Sequence, residues 1–114
     1  TSKEEMLNLL GSIRRKFEDP DVKAKFSGFD RTLEFRFTDI DVSLHTRIHD
    51  QTMDPFTEGP LVKPNILVTC DSGTLKGILE GTLSALEAYS VGRLKVKGSM
   101  TDLLKLQILL KGWE

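Results

Sequence analysis

The residues best suited to acid–base chemistry or metal binding are two histidines, His45 and His49, which lie four positions apart. The sequence around them alternates between apolar and polar residues, a pattern typical of a β-strand. On a strand, residues four apart share a face but lie roughly 13 Å apart along the chain. That distance is too large for both rings to bind one metal ion. We therefore expect solvated side chains here, with neither a metal site nor a general acid or base.

The other candidate groups are aspartates and one cysteine, and none of them forms a recognisable catalytic set. The aspartates Asp39, Asp41, Asp50 and Asp54 lack the spacing of a calcium-binding EF-hand loop, so we interpret them as turn residues. The single Cys70 excludes an internal disulfide and lies in an apolar run, which predicts a small buried side chain. We therefore predict a protein that is not an enzyme and that uses no metal ion and no cofactor.

The composition is that of an ordinary globular protein. The chain has 114 residues, and we predict one domain over residues 1–114. The net charge of -1 argues against nucleic acid as a partner, because phosphate binding needs clustered positive charge. No apolar run reaches the roughly 18 residues of a membrane span, and the first residues do not resemble a signal peptide. These features lead us to expect a cytoplasmic protein.

The secondary structure that must position any site follows from hydrophobic periodicity. Ser2 and Glu5 form a capping box ahead of an amphipathic helix, which Asp19-Pro20 ends. The later patterns predict a short helix over 21–26, strands over 31–39, 42–49 and 65–70, an edge strand or loop over 51–59, two short helices between 71 and 92, a strand over 93–97 and a helix over 100–110. Thr82 is the predicted cap of the second of the two short helices. This order predicts an α+β fold with about five strands.

The last helix carries more apolar residues than one sheet face requires. One stripe of the helix holds Met100, Leu103, Leu104, Gln107 and Ile108, and a second stripe with Leu106, Leu109 and Leu110 widens it. The surplus predicts contact with another element, a subunit, a membrane or an apolar ligand. An ordinary packed core explains the same pattern equally well.

A short basic row precedes that helix. Arg93, Lys95 and Lys97 alternate with Leu94 and Val96, so the three cations share one face of the predicted strand. A solvated strand face is one interpretation. Attraction to anionic lipid headgroups or to a ligand's phosphate is the other.

Two segments carry a resemblance to a known family. Gly92–Met100, which reads Gly-Arg-Leu-Lys-Val-Lys-Gly-Ser-Met, followed by Lys105-Leu106-Gln107, resembles the C-terminal signature of the sterol carrier protein-2 family. That signature is a G-K-L-K-[IV]-x-G-[ND]-M strand and turn, followed by a helix with K-L near its middle. Upstream, Cys70-Asp71-Ser72 leading to Leu79-Glu80-Gly81 resembles the family's strand, helix and L-x-G segment. Asp102 departs from the family, which commonly has an apolar residue there.

The resemblance implies a five-stranded, mostly antiparallel sheet that is covered on one face by helices, with a hydrophobic tunnel between them. Members of the family bind fatty acids, fatty acyl-CoAs, phospholipids or sterols without catalysis. Carried over by position, the ligand-binding residues of the last helix are Met100, Leu103, Leu104, Gln107 and Ile108. The further ligand-binding residues that we predict are Phe35, Leu44, Val68, Leu79, Leu83, Leu86 and Val96.

Two functional hypotheses follow from these observations. The first is a non-catalytic carrier that binds an apolar lipid between sheet and last helix and that makes transient contact with membrane surfaces. The second is a protein-interaction or dimerisation module, accessory to a lipid-handling enzyme. In the second hypothesis Leu109, Leu110 and Trp113 extend beyond the surface that the sheet covers and pack against a second copy or another protein.

Overall fold

The computed structural model describes residues 2–110 and contains one mixed sheet with helices packed on it. The helices are α1 (Lys3–Arg15), a 3₁₀ turn (Lys16–Glu18), α2 (Pro20–Lys25), α3 (Ser72–Glu80), α4 (Ala85–Ser90) and α5 (Met100–Leu109). The strands are β1 (Arg31–Phe37), β2 (Val42–His49), β3 (Thr52–Met53), β4 (Thr57–Glu58), β5 (Ile66–Cys70) and β6 (Leu94–Lys97). This arrangement confirms the predicted α+β class.

The sheet is mixed, with β1 at its centre. The strands follow the order β3-β2-β1-β5-β6, and the short β4 pairs with β2. β1 pairs antiparallel with β2 and parallel with β5, so that Phe35 lies between Leu44 and Val68. β6 pairs antiparallel with β5 and forms one edge of the sheet in the described part of the chain. Six strands are present where about five are predicted, because the 51–59 segment contributes two pairs of residues to the edge.

Side-chain caps begin the helices as the sequence predicts in most cases. The hydroxyl of Ser2 accepts a hydrogen bond from the Glu5 amide, and the carboxylate of Asp71 accepts one from the Thr74 amide at 2.7 Å. The cap of α4 is different from the prediction: Ser84, rather than Thr82, accepts from the Glu87 amide. Thr82 is still engaged in closing the preceding helix, because its amide donates to the Gly77 carbonyl. Helix α4 therefore begins later than expected.

The hydrophobic core lies between the helices and one face of the sheet. On the sheet side it contains Phe35, Leu44 and Val68, which are fully buried. On the helix side α1 contributes Met6, Leu10 and Ile13. The alternating strand pattern places these sheet residues on one face, which is why the period-2 signal in the sequence is clear.

The face of α5 that packs on the core differs from the one expected. Leu109 and Leu110 are 1% and 0% exposed, whereas Met100 is 74% exposed and Leu104 is 55% exposed. The expectation that Leu109 and Leu110 extend beyond the covered surface is therefore wrong. The physical reason is Asp102, which lies on the buried face and pairs with Arg31 there. Trp113, the third residue of that expectation, lies outside the described residues.

Candidate functional site

An apolar groove lies between α4, the edge strand β6 and α5. Its volume is about 180 Å³. The lining residues are Tyr89 from α4, Val96 from β6 and four residues of α5, namely Met100, Leu103, Leu106 and Gln107. A concave apolar surface with one amide among its side chains is suited to an apolar ligand with a polar end.

A tight turn between β6 and α5 builds one wall of this groove. A side chain at Gly98 would place its Cβ 3.1 Å from the Asn65 carbonyl oxygen, so any other residue would have to move the turn a few tenths of an ångström away from Asn65. Ser99 then caps α5, because its hydroxyl accepts a hydrogen bond from the Asp102 amide at 3.2 Å. The turn and the cap together bring Met100 back beside Val96 within four residues.

The opposite wall of the groove depends on how α4 packs. Ala85 and Ala88 are fully buried in the core, and α4 contacts β6. The Arg93 amide also donates to the Ala88 carbonyl at 2.9 Å, which ties the end of α4 to the start of β6. With the two alanines facing inward, Tyr89 is placed at the groove.

The structure brings together four of the predicted ligand-binding residues. Val96, Met100, Leu103 and Gln107 line the groove. Phe35, Leu44 and Val68 are buried in the core, and Leu79, Leu83 and Ile108 are partly buried against it. Leu86 and Leu104 are exposed and are not among the residues that line the groove. Contact of these eight residues with a ligand stays a prediction.

Two groove residues were missing from the predicted set. Tyr89 has the right spacing to share a side with Leu83 and Leu86 in the helix that the sequence predicts there, so that amphipathic pattern could have identified it. Leu106 lies on the second apolar stripe of α5, which we assigned to the surplus surface. Leu106 lines the groove because α5 turns the face that carries Asp102 toward the core, and Leu106 lies on that face.

The groove is open and small compared with the tunnel that the resemblance implies. Cavities for drug-sized ligands are about 300–1,000 Å³, and an apolar cavity of about 150 Å³ accommodates benzene. A groove of about 180 Å³ therefore accommodates a segment of a lipid rather than a whole one. A continuous tunnel stays a prediction.

The two histidines are engaged in structural contacts. His45 Nδ1 donates to the Gly59 carbonyl at 2.7 Å, while His49 lies between the carboxylates of Asp50 and Asp54. Both rings are partly buried rather than solvated, because the 54–61 segment covers that end of β2. Within residues 2–110, no group of three histidine, cysteine or acidic side chains is arranged to hold a metal ion.

Cys70 has no nucleophilic character in this fold. Burial, together with the nearby charges of Asp71 and Asp39, raises the pKa of its thiol to about 12. The thiolate is the reactive form, so the neutral Cys70 behaves as a small apolar side chain. This agrees with the interpretation of Cys70 as a buried residue of a strand.

The outer face of the sheet, which points away from the helices, contains the basic row. Arg93 and Lys95 line a mixed polar depression of about 250 Å³ together with Thr38 and Thr69. Arg93 donates to the Thr74 hydroxyl at 3.1 Å. Neither Lys95 nor Lys97 forms an ion pair with another described residue. Both lysines are exposed.

The fold and the groove define an α+β domain in which an apolar groove lies between the sheet edge and the last helix. A model of the SCP-2 sterol transfer family matches residues 10–111, and the chain therefore belongs to that family. This confirms the resemblance drawn from Gly92–Met100. A search of curated proteins found no match.

Solved structures with the same fold are distant in sequence. Palmitated SCP2L2 from Aedes aegypti has 16% identity and a TM-score of 0.63, over 89% of this chain and 90% of that one. A ubiquinone synthesis protein, UbiJ-SCP2, has 15% identity and a TM-score of 0.66, over 96% of this chain and 91% of that one. Identities this low show the fold alone.

A third similar structure is a much longer protein. The inverting sec-alkylsulfatase Pisa1 from Pseudomonas sp. has 22% identity and a TM-score of 0.64, over 81% of this chain. The match spans only 14% of the alkylsulfatase chain.

Among residues 2–110 of the present chain, no helix has the length and apolar character needed to cross a bilayer.

Proposed function

We propose that this chain is a non-catalytic binding protein for an apolar lipid, which it takes up in the groove between α4, β6 and α5. The ligand class is a fatty acid, fatty acyl-CoA, phospholipid or sterol. The observation that carries the proposal is the apolar groove in a chain of the SCP-2 sterol transfer family. The palmitated state of one structural neighbour supports an acyl chain as one ligand.

Gln107 is one polar group of the groove that can meet the polar end of the ligand. The amide of Gln107 lies among apolar groove residues and makes no hydrogen bond to another described residue. A carboxyl, ester or hydroxyl group of the ligand supplies that partner, which fixes the direction in which the ligand enters. The apolar part lies against Val96 and Leu103.

Ligand size follows from the groove volume. Each methylene group removed from water contributes about 0.8 kcal/mol, which corresponds to about a fourfold gain in affinity. A groove of about 180 Å³ takes only a few methylene groups, so the gain stops once the groove is full. The rest of a longer chain extends over the exposed side chain of Met100.

A series of fatty acids of increasing length tests this proposal. Displacement of a fluorescent fatty acid should show affinity rising about fourfold per methylene and then reaching a plateau. Val96→Phe should fill the groove and weaken uptake, while Val91→Phe, at a position that does not line the groove, serves as the control. Absence of uptake of any fatty acid, phospholipid or sterol would overturn the proposal.

An interaction module is the second candidate function. On α4 and α5 or directly after α4, five large apolar side chains are exposed, and this number favours contact with a partner: Leu86, Tyr89, Val91, Met100 and Leu104. Sedimentation tests this candidate. A dimer that Leu104→Asp dissociates would support the module, whereas a monomer with bound lipid supports the carrier.

A further inference from the structure

We infer that a polar depression on the outer face of the sheet binds the phosphate group of a soluble polyhydroxylated small molecule, for example a sugar phosphate. The depression has a volume of about 250 Å³ and lies where β1 and β5 end and β6 begins. Its polar lining residues are Thr38, Thr69, Asp71, Arg93 and Lys95, and it is called here the outer-face depression. It is separate from the apolar groove, which lies on the helix side of β6.

The strand register places a hydroxyl and an ammonium group side by side in the outer-face depression. Thr69 of β5 is paired with Lys95 of β6, and neighbouring strands lie about 4.8 Å apart. Residues directly opposite each other in an antiparallel pair share a face, so both side chains lie on the outer face. Arg93 precedes Lys95 by two residues and therefore lies on the same face, about 7 Å away along the chain. Long side chains bridge such a spacing, so both cations can contact one phosphate group.

The hydrogen-bond donors of the outer-face depression have, with one exception, no acceptor among the described residues. The hydroxyls of Thr38 and Thr69 and the ammonium group of Lys95 form no hydrogen bond or ion pair within residues 2–110. The exception is Arg93, whose Nη2 donates to the hydroxyl of the fully buried Thr74 at 3.1 Å. A guanidinium group has five N–H donors, so this bond anchors Arg93 and leaves its other donors for a ligand. Phosphate oxygens accept several charge-assisted hydrogen bonds at once.

One acceptor in the depression selects what the phosphate is attached to. The Oδ1 atom of the half-buried Asp71 accepts from the Thr74 amide at 2.7 Å, while no described residue donates to its Oδ2. An ionised carboxylate only accepts hydrogen bonds, so Asp71 favours a ligand hydroxyl and disfavours a second anionic group. A phosphate beside Arg93 and Lys95, with a hydroxyl beside Asp71, satisfies both kinds of group. A sugar phosphate offers this arrangement.

The surroundings of the depression oppose a large polyanion. Asp39 and Asp41 are exposed on the turn that follows Thr38, and Asp39 accepts from the Ser72 amide at 2.9 Å, next to Asp71 in the chain. These carboxylates repel the repeated phosphates of a nucleic acid or of an anionic bilayer. The net charge of -1 also gives the protein no long-range attraction for such partners. A single phosphate on a small molecule avoids this repulsion.

Titration of the full chain, followed by amide NMR spectra, tests the inference with glucose 6-phosphate, inorganic phosphate and glucose as probes. Glucose 6-phosphate should produce saturable shifts at the amides of Thr69, Arg93 and Lys95, and it should bind more tightly than either of the other probes. Absence of saturable shifts at these amides, with glucose 6-phosphate raised to about 10 mM, would overturn the inference. Equal affinity for glucose would overturn it as well, because the phosphate would then contribute nothing.

Charge variants on β6 distinguish a defined site from general attraction of anions. Lys95→Gln should weaken binding of glucose 6-phosphate about tenfold, because a charge-assisted contact is lost. The matched control is Lys97→Gln, which removes the same charge from the same face of β6 at a residue that does not line the depression. An equal loss in the control would show general charge attraction only and would overturn the inference.

Arg93→Gln should weaken binding at least as much as Lys95→Gln does. Urea unfolding checks that loss of the Thr74 contact leaves this variant folded. Lys95→Gln keeps that contact, so the comparison with Lys97→Gln stands even where Arg93→Gln does not fold. Unchanged affinity in a folded Arg93→Gln variant would contradict the inference.

A substitution of Asp71 tests the part of the site that selects the hydroxyl. Asp71→Asn preserves the cap of α3, because asparagine is also a good N-cap residue. Loss of the negative charge should strengthen binding of inorganic phosphate, while the weaker acceptor should narrow the difference between inorganic phosphate and glucose 6-phosphate. A structural role of Asp71 alone would change both affinities in parallel, and that result would overturn the inference of a polyhydroxylated ligand.

The outer-face depression and the proposed function are tested independently. Lys95 does not line the apolar groove, so displacement of a fluorescent fatty acid should be unchanged in Lys95→Gln. A chain that takes up fatty acid but shows no saturable shifts with glucose 6-phosphate would overturn this inference and leave the carrier intact. A chain that shows those shifts but takes up no lipid would refute the carrier and support the phosphate site.

Discussion

Arg31 Nε lies 3.2 Å from Asp102 Oδ1 and 3.3 Å from Oδ2, and this ion pair joins the first residue of β1 to the first turn of α5. Asp102 is 4% exposed, whereas the Arg31 side chain is about half exposed. The Asp102 amide also donates to the Ser99 hydroxyl, so the start of α5 is fixed at both its backbone and its side chain. The pair thereby sets the rotation of α5 and the composition of the groove wall.

Removal of one partner of this pair should destabilise the protein. Arg31→Ala leaves the Asp102 carboxylate buried without a counter-charge, which should lower the free energy of unfolding by about 2 kcal/mol. Urea unfolding measures the change. Arg47→Ala, which breaks the exposed pair with Asp30, should have a much smaller effect. Arg31→Met/Asp102→Leu should recover most of the loss, because apolar residues can replace a buried ion pair.

The rotation of α5 predicts opposite results for two apolar residues of the same helix. Leu109→Ala removes a buried side chain and should cost about 2–4 kcal/mol of unfolding free energy. Met100→Ala removes an exposed one and should change it by less than about 0.5 kcal/mol. Comparable losses in the two variants, measured by urea unfolding, would show that α5 is rotated differently.

The sequence allowed the strands β1, β2 and β5 and most helix caps to be predicted, because these depend on local periodicity and on residues within one turn. The face of α5 could not be predicted from periodicity. By periodicity alone, an apolar stripe without a charge, at Leu103 and Leu104, is a better core face than one that contains Asp102. The partner that allows Asp102 to be buried, Arg31, is 71 residues away in sequence, and no local pattern reveals it.

The residues of the candidate site were also predictable only in part. Val96, Met100, Leu103 and Gln107 were predicted because they lie on β6 and α5, for which the family resemblance is strongest. Tyr89 was missed although its spacing from Leu86 indicates a shared side of the helix, and what places it at the groove is the inward packing of two small residues of α4, Ala85 and Ala88. Alanine gives a weak signal in a hydrophobic pattern, so the packing of α4 is visible only in three dimensions.

His49 predicts a pH dependence of stability. Its Nε2 lies 2.8 Å from Asp54 Oδ1 and its Nδ1 lies 3.1 Å from Asp50 Oδ2. These hydrogen bonds, that to Asp54 first, raise the pKa of His49 above its ordinary value of 6.5. A raised pKa in the folded state stabilises the protein fully below pH 6.5, and the contribution is lost as the pH rises through the folded pKa.

Thermal unfolding of His49→Gln at several pH values tests this dependence. The difference in Tm between the parent chain and the variant should be largest near about pH 5.5 and smaller near about pH 8.5. Asp50→Asn/Asp54→Asn removes both acceptors' charges and should abolish the pH dependence of that difference. A difference that grows toward alkaline pH would contradict the assignment.

Glu34, on the outer face of β1, forms an ion pair with Arg36, and we expect substitutions of the two residues to lower the free energy of unfolding by different amounts. Glu34 is fully buried; its Oε1 accepts from the Leu61 amide at 2.8 Å, and its Oε2 lies 2.9 Å from Arg36 Nη2. Arg36→Ala leaves a buried carboxylate without its cation and should cost about 3 kcal/mol. Glu34→Gln keeps an acceptor for Leu61 and leaves Arg36 able to reach water, so it should cost about 1 kcal/mol.

Urea unfolding compares the free energy of unfolding of the two variants. We expect the larger loss in Arg36→Ala, although Arg36 is the more exposed residue of the pair. Limited proteolysis provides a second measurement. Glu34→Ala should make the 59–64 segment more susceptible to cleavage, since the Leu61 amide then loses its acceptor. A larger loss of stability in Glu34→Gln than in Arg36→Ala would contradict this expectation. It would show that the charged hydrogen bond from the Leu61 amide to Glu34 stabilises the protein more than the ion pair with Arg36 does.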